Sequence, residues 1–94
     1  MLKIVFSSEF KRDYKKALKR GYKREKMEIV LNFLVNEQEL PQRYRDHALV
    51  SNRLYKNVRE CHIQPDWLLI YRIEKDIEIL RMIRTGTHSD LFKK

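Results

Sequence analysis

The stretch from Val58 to Arg84 constrains the fold most. It reads "VRECHI", "WLLIYRI" and "IEILRMIR", separated only by "QPD" and "EKD". The first run alternates, the other two read as strands, and each break holds a turn former. Breaks this short join antiparallel neighbours, because a parallel return needs a long crossover. The segment is therefore a three-stranded meander over residues 58–63, 67–73 and 77–84. A sheet of this kind must bury one face against something else.

The N-terminal half supplies the cover. "LKIVF" (2–6) reads as a strand. Ser7 or Ser8 then offers an oxygen to cap a helix. Phe10, Tyr14, Ala17 and Leu18 recur at helical spacing, and Gly21 suits a helix end. A second helix is expected from about Arg24 to Val35, with Met27, Val30, Leu31 and Leu34 as its apolar stripe. So close a pair should form an antiparallel hairpin. Residues 36–57 carry Pro41 and no sustained period, and read as a long loop of functional character. The expectation is an α+β fold of order β-α-α-β-β-β. The hairpin should lie on one face of a small, mostly antiparallel sheet, leaving the other face for a site. Residues 1–94 should form one domain.

Charge narrows the partners. The chain carries 21 Lys and Arg against 13 Asp and Glu, a net charge of +8 on 94 residues. Such a field attracts polyanions, so nucleic acid, the ribosome or an acidic protein are the natural partners. Cys61 is the one cysteine, which suits a reducing cytoplasm. The N-terminus lacks a signal-peptide pattern, and no apolar run approaches the roughly 18 residues of a membrane helix. A cytoplasmic protein with no membrane partner is expected.

The three histidines, His47, His62 and His88, look scattered along the chain. A sheet can gather them, since neighbouring strands lie only about 4.8 Å apart. Alternation puts Glu60 and His62 on one side of their strand, and Cys61 and Ile63 on the core side. Arg84 ends the last strand, and "TGT" can turn His88 back over the same face. A metal site is one reading, but no short ligand spacing supports it, so neither metal nor cofactor is expected. Acid–base chemistry on RNA is the other. One imidazole takes the proton of a 2′-OH while a second protonates the leaving 5′-oxygen. An Arg steadies the charge on the phosphorus.

"YRDHALVSN", "VRECHIQPDWLLIYRI" and "RTGTHSDLF" together resemble the YafQ family of bacterial type II toxins, in the RelE/ParE superfamily. The resemblance implies a RelE-like fold and a ribosome-dependent mRNA endoribonuclease, neutralised by a cognate antitoxin. It carries His47, Glu60, His62, Asp66, Trp67, Arg84, His88 and Phe92 onto the family's motifs. His88 is then the general acid, and His47 or His62 the base. Asp66 or Glu60 orients an imidazole, and Arg84 steadies the phosphate. Trp67 and Phe92 hold the mRNA, while Lys15, Lys16 and Lys19 meet ribosomal RNA. The antitoxin should bring an acidic segment. Ala48 stands where the family usually has Pro, Glu60 where Asp is also found, and "LVSNRLYKN" lacks the family's usual glycines. Two other readings share the fold or the charge: an inhibitor of a protein target such as gyrase, and a non-catalytic RNA- or ribosome-binding module.

Overall fold

The computed structural model describes residues 1–49 and 57–92. The missing glycines of "LVSNRLYKN" fall mostly at 50–56, outside the described residues. The elements run β1 (Lys3–Phe6), α1 (Ser8–Lys19), α2 (Arg24–Val35), β2 (His47–Leu49), β3 (Val58–Gln64), β4 (Trp67–Glu74), β5 (Ile79–Gly86) and α3 (His88–Leu91).

Local chemistry starts and stops the helical hairpin. Ser7 caps α1, its hydroxyl accepting the Phe10 N–H at 2.9 Å. The same hydroxyl donates to the Ile83 carbonyl at 2.8 Å, so the cap also ties the helix to β5. Gly21, with φ +101°, ends α1 in the left-handed region that glycine enters without strain. Phe10 and Ala17 of α1, and Met27, Val30 and Leu34 of α2, point into the core.

The sheet order is β1-β5-β4-β3-β2. β1 runs parallel to β5, and the other pairs are antiparallel. The main core lies under the hairpin and includes Cys61, Trp67, Leu69, Tyr71, Leu80 and Met82. Burial pushes the Cys61 thiol up, which keeps it an inert core residue.

The expected order β-α-α-β-β-β is present with two additions. The segment read as loop contains a short 3-10 turn, Gln42–Tyr44, and an edge strand, β2. The tail folds into α3. The last strand starts at Ile79, because Lys75–Ile77 form a 3-10 turn. The second face is also not bare. Val58, Leu68, Ile70 and Leu91 form a small apolar cluster there, with Leu49, Ile83 and Phe92 packed on it. This cluster seats α3 beside the polar residues of the same face.

Candidate active site

Register gathers the site. His47 on β2 pairs with Glu60 on β3. Glu60 pairs with Ile70, His62 with Leu68, and Leu68 in turn with Gly86. One face therefore carries His47, Glu60 and His62, with the start of α3 at its far side.

Glu60 is the centre of the first group. Its side chain is only 7% exposed, and its Oε1 lies 3.4 Å from the Nε2 atoms of both His47 and His62. Each ring is oriented from behind. His47 Nδ1 donates to the Arg45 carbonyl at 2.8 Å, and His62 Nδ1 to the Pro65 carbonyl at 3.3 Å. A carbonyl only accepts, so Nδ1 carries a proton in each ring. Nε2 is left as the atom that exchanges a proton with Glu60 or a ligand.

His88 and Asp66 form the second group. Asp66 Oδ1 accepts from His88 Nδ1 at 2.9 Å and from the His88 backbone N–H at 3.0 Å. These bonds, the backbone one first, hold the Asp66 carboxyl below its ordinary range. The pairing turns His88 Nε2 outward. The His62 and His88 rings meet edge-on, 5.7 Å between centroids, and the Phe92 ring lies 6.4 Å from that of His88.

The tail explains its own sequence. Thr87 and Asp90 form a capping box at α3. Arg20, the C-cap of α1, binds Asp90 at 2.8 Å, and this bond is the main reason the Asp90 carboxyl is held low. A Cβ on Gly86 would sit 2.9 Å from Asp90 Oδ2, so only glycine lets α3 approach the strand this closely. Leu91 is buried in the second cluster and fixes the other end of the turn.

The Asp66 pairing has a consequence for pH. A carboxyl held low in the fold stabilises α3 fully above its ordinary range. That contribution is lost as pH falls through its lowered value. In an NMR titration of the carboxyl carbons, Asp66 is expected to titrate below the ordinary aspartate range. In His88→Ala it should return only part of the way, because the backbone bond remains. An Asp66 that titrates in the ordinary aspartate range in the parent would contradict the pairing.

Three expected site residues are placed differently. Trp67 is fully buried in the main core, stacked on Tyr22 at 4.6 Å, so its ring is out of reach of a base. It anchors the turn that carries Asp66 instead, helped by the Tyr22 hydroxyl, which donates to the Asp66 carbonyl at 3.4 Å. Among the described residues the buried Trp67 Nε1 has no hydrogen-bond partner. Arg84 lies across from Ile70 by register, but its guanidinium turns to α1. There it binds Asp13 through Nε at 2.6 Å and Nη2 at 3.2 Å. Phe92 packs partly on the second cluster rather than standing clear as a stacking platform. Lys15, Lys16 and Lys19 are exposed on α1, as expected.

Sequence reading missed two carboxylates. Asp13 also accepts the Thr85 N–H at 3.2 Å; it is the only acid between Phe10 and Arg24, a signal that it has a partner. Asp46 accepts the Tyr71 hydroxyl at 2.5 Å and the Arg59 guanidinium at 3.3 Å. Burial, then Asp46 itself, push the Tyr71 hydroxyl up, so it stays a donor. This bond pins the backbone immediately before His47. Among the described residues, no group of three or more His, Cys, Asp or Glu is arranged to hold a metal. Among them too, no helix is long and apolar enough to cross a membrane.

A helical hairpin on a mixed sheet, with imidazoles and carboxylates gathered beside a terminal turn, defines the class as a small α+β protein with an acid–base site. Residues 2–93 match the family described as bacterial toxin of type II toxin–antitoxin system, YafQ. The mRNA interferase toxin YafQ of Escherichia coli (strain B / BL21-DE3) is 40% identical over 90 residues, covering 95% of this chain and 94% of that one. YafQ in the E. coli DinJ–YafQ complex superposes with a TM-score of 0.86 at 39% identity, over 98% of this chain and 99% of that one. A metal-bound toxin from Helicobacter pylori superposes with a TM-score of 0.91 at 40% identity, over 98% and 100%. This chain belongs to the YafQ family of bacterial toxins of type II toxin–antitoxin systems.

Proposed function

We propose that this protein is an endoribonuclease that cuts mRNA on the ribosome, and that an antitoxin with an acidic segment holds it in check. One observation carries the reading: two imidazole–carboxylate groups stand side by side, His47 and His62 on Glu60 and His88 on Asp66, with the His62 and His88 rings 5.7 Å apart. That is the arrangement a 2′-OH attack needs, with a base on one side of the phosphorus and an acid on the other. The E. coli relative's name, mRNA interferase, supports the same substrate.

The steps use these residues alone. His47 or His62, with Glu60 behind it, takes the 2′-OH proton. The 2′-oxygen attacks the adjacent phosphorus, and the bond to the 5′-oxygen breaks. His88 Nε2 gives its proton to that oxygen, and Asp66 steadies the imidazolium until it does so. The products are a 2′,3′-cyclic phosphate and a 5′-hydroxyl. No step is routed through a metal. Incubation with programmed ribosomes, followed by primer extension, tests the reading: a discrete cut supports it, and intact message contradicts it.

The ribosome itself is a polyanion, and Lys15, Lys16 and Lys19 give α1 an exposed basic surface. Neutralising all three should make the salt dependence of ribosome binding shallower by about 2 in log–log slope, near 0.7–0.9 per phosphate contact. The cleavage step should keep its rate at saturation. A slope equal to the parent's would remove this surface from the docking face.

A further inference from the structure

A cleft of about 520 Å³ opens between α2, the 42–44 turn and the β3–β4 hairpin. Its walls include Lys26, Arg43, Tyr44, Arg45, His62 and Pro65. His62 belongs to the candidate active site, and Pro65 supplies the carbonyl that orients it. The cleft is therefore continuous with the place where the phosphate would react.

Its walls carry exposed cations. Arg20, Arg59, Arg72, Arg81 and Arg84 are each held by a carboxylate. Among the described residues no ion pair engages Lys26, Arg43 or Arg45, and all three are exposed. Arg43 is already set in place, its guanidinium 4.9 Å over the Tyr44 ring and its Nη2 donating to the Tyr44 hydroxyl at 3.0 Å. A cation fixed before binding loses less freedom when it meets an anion. Arg45 takes a left-handed backbone, φ +50°, and its carbonyl receives His47 Nδ1. One short segment thus lines the cleft and orients a candidate catalytic ring.

We propose that this cleft carries the phosphodiester backbone of the mRNA strand as it runs on from the cut. The inference rests on the nuclease reading above. The strand is favoured over ribosomal RNA because His62 is part of the wall. A strand with a phosphate at His62 would continue along a wall that also holds Arg43, Arg45 and Lys26.

The test is a double variant, Lys26→Gln with Arg43→Gln, and both changes lie on the surface. Arg45 is left native because its backbone holds His47. On programmed ribosomes the variant should need roughly tenfold more toxin for half-saturation, with a salt slope shallower by about 1.4 for two single-strand contacts. Its rate at saturation should stay within about twofold of the parent's. Messages shortened to begin just upstream of the scissile bond, or to end just downstream of it, complete the experiment. With one of the two shortened messages, parent and variant should become equal, because the strand no longer reaches the cleft. A difference that persists with both messages would assign the cations to ribosomal RNA and overturn the proposal. A variant equal to the parent on full-length message would overturn it too. A parent that cuts none of the messages would remove the nuclease reading itself, and the cleft assignment with it.

Discussion

Replacing His88 with alanine is expected to slow mRNA cleavage on programmed ribosomes by roughly 10²–10⁴-fold, the usual worth of a positioned acid or base. The structure limits the damage to chemistry. His88 is exposed, and α3 keeps its capping box and its Arg20–Asp90 tie. The backbone N–H of residue 88 still reaches Asp66. Ribosome binding should therefore stay near the parent's, since Lys15, Lys16 and Lys19 are untouched. Single-turnover cleavage and a binding assay on the same preparation separate the two effects. A variant that cuts at the parent rate would remove His88 as the acid and favour a non-catalytic ribosome-binding module.

Glu60→Gln should be nearly as harmful, lowering cleavage by about 10²-fold. The substitution keeps shape and volume at a site that is almost closed to water. What it removes is the negative charge shared by two Nε2 atoms at 3.4 Å. A buried carboxylate acts through a low dielectric, so its loss is felt more than that of a surface charge. His47→Gln and His62→Gln, made alongside, identify which ring takes the proton: the base is the one whose loss matches the Glu60 variant. An unchanged rate in Glu60→Gln would show that neither imidazole depends on the carboxylate.

The parts of the fold set by local chemistry were readable in advance. Ser7, Gly21 and the spacing of Phe10, Ala17, Met27, Val30 and Leu34 define the hairpin without help from elsewhere. Period two along β3 correctly placed Glu60 and His62 opposite Cys61 and Ile63. The edge strand was not readable, because His47–Leu49 is too short to show a period and exists by pairing with β3. α3 was not read either, though Thr87 and Asp90 stand at capping-box spacing. Trp67 was assigned to the substrate, yet it shares parity with Leu69 and Tyr71, the core side of β4. Arg84 lies beyond a register shift between Ile70 and Tyr71, and such a shift re-aims side chains in a way alternation does not anticipate. Asp13 and Asp46 work through partners 71 and 25 residues away, distances that only the folded chain closes.

The mechanism commits to one set of product ends. Attack by the 2′-OH leaves a cyclic phosphate on the upstream fragment and a hydroxyl on the downstream one, whereas attack by a water or hydroxide on the phosphorus with the 3′-oxygen as leaving group leaves a 3′-hydroxyl upstream and a 5′-phosphate downstream. The direct measurement is end-group analysis of mRNA cut on programmed ribosomes, using toxin stripped of metal by chelator and desalted before addition. An undiminished cut is expected, with a 2′,3′-cyclic or 3′-phosphate upstream and a 5′-hydroxyl downstream. A 5′-phosphate, or cutting that returns only when a divalent metal is restored to the toxin, would contradict the mechanism.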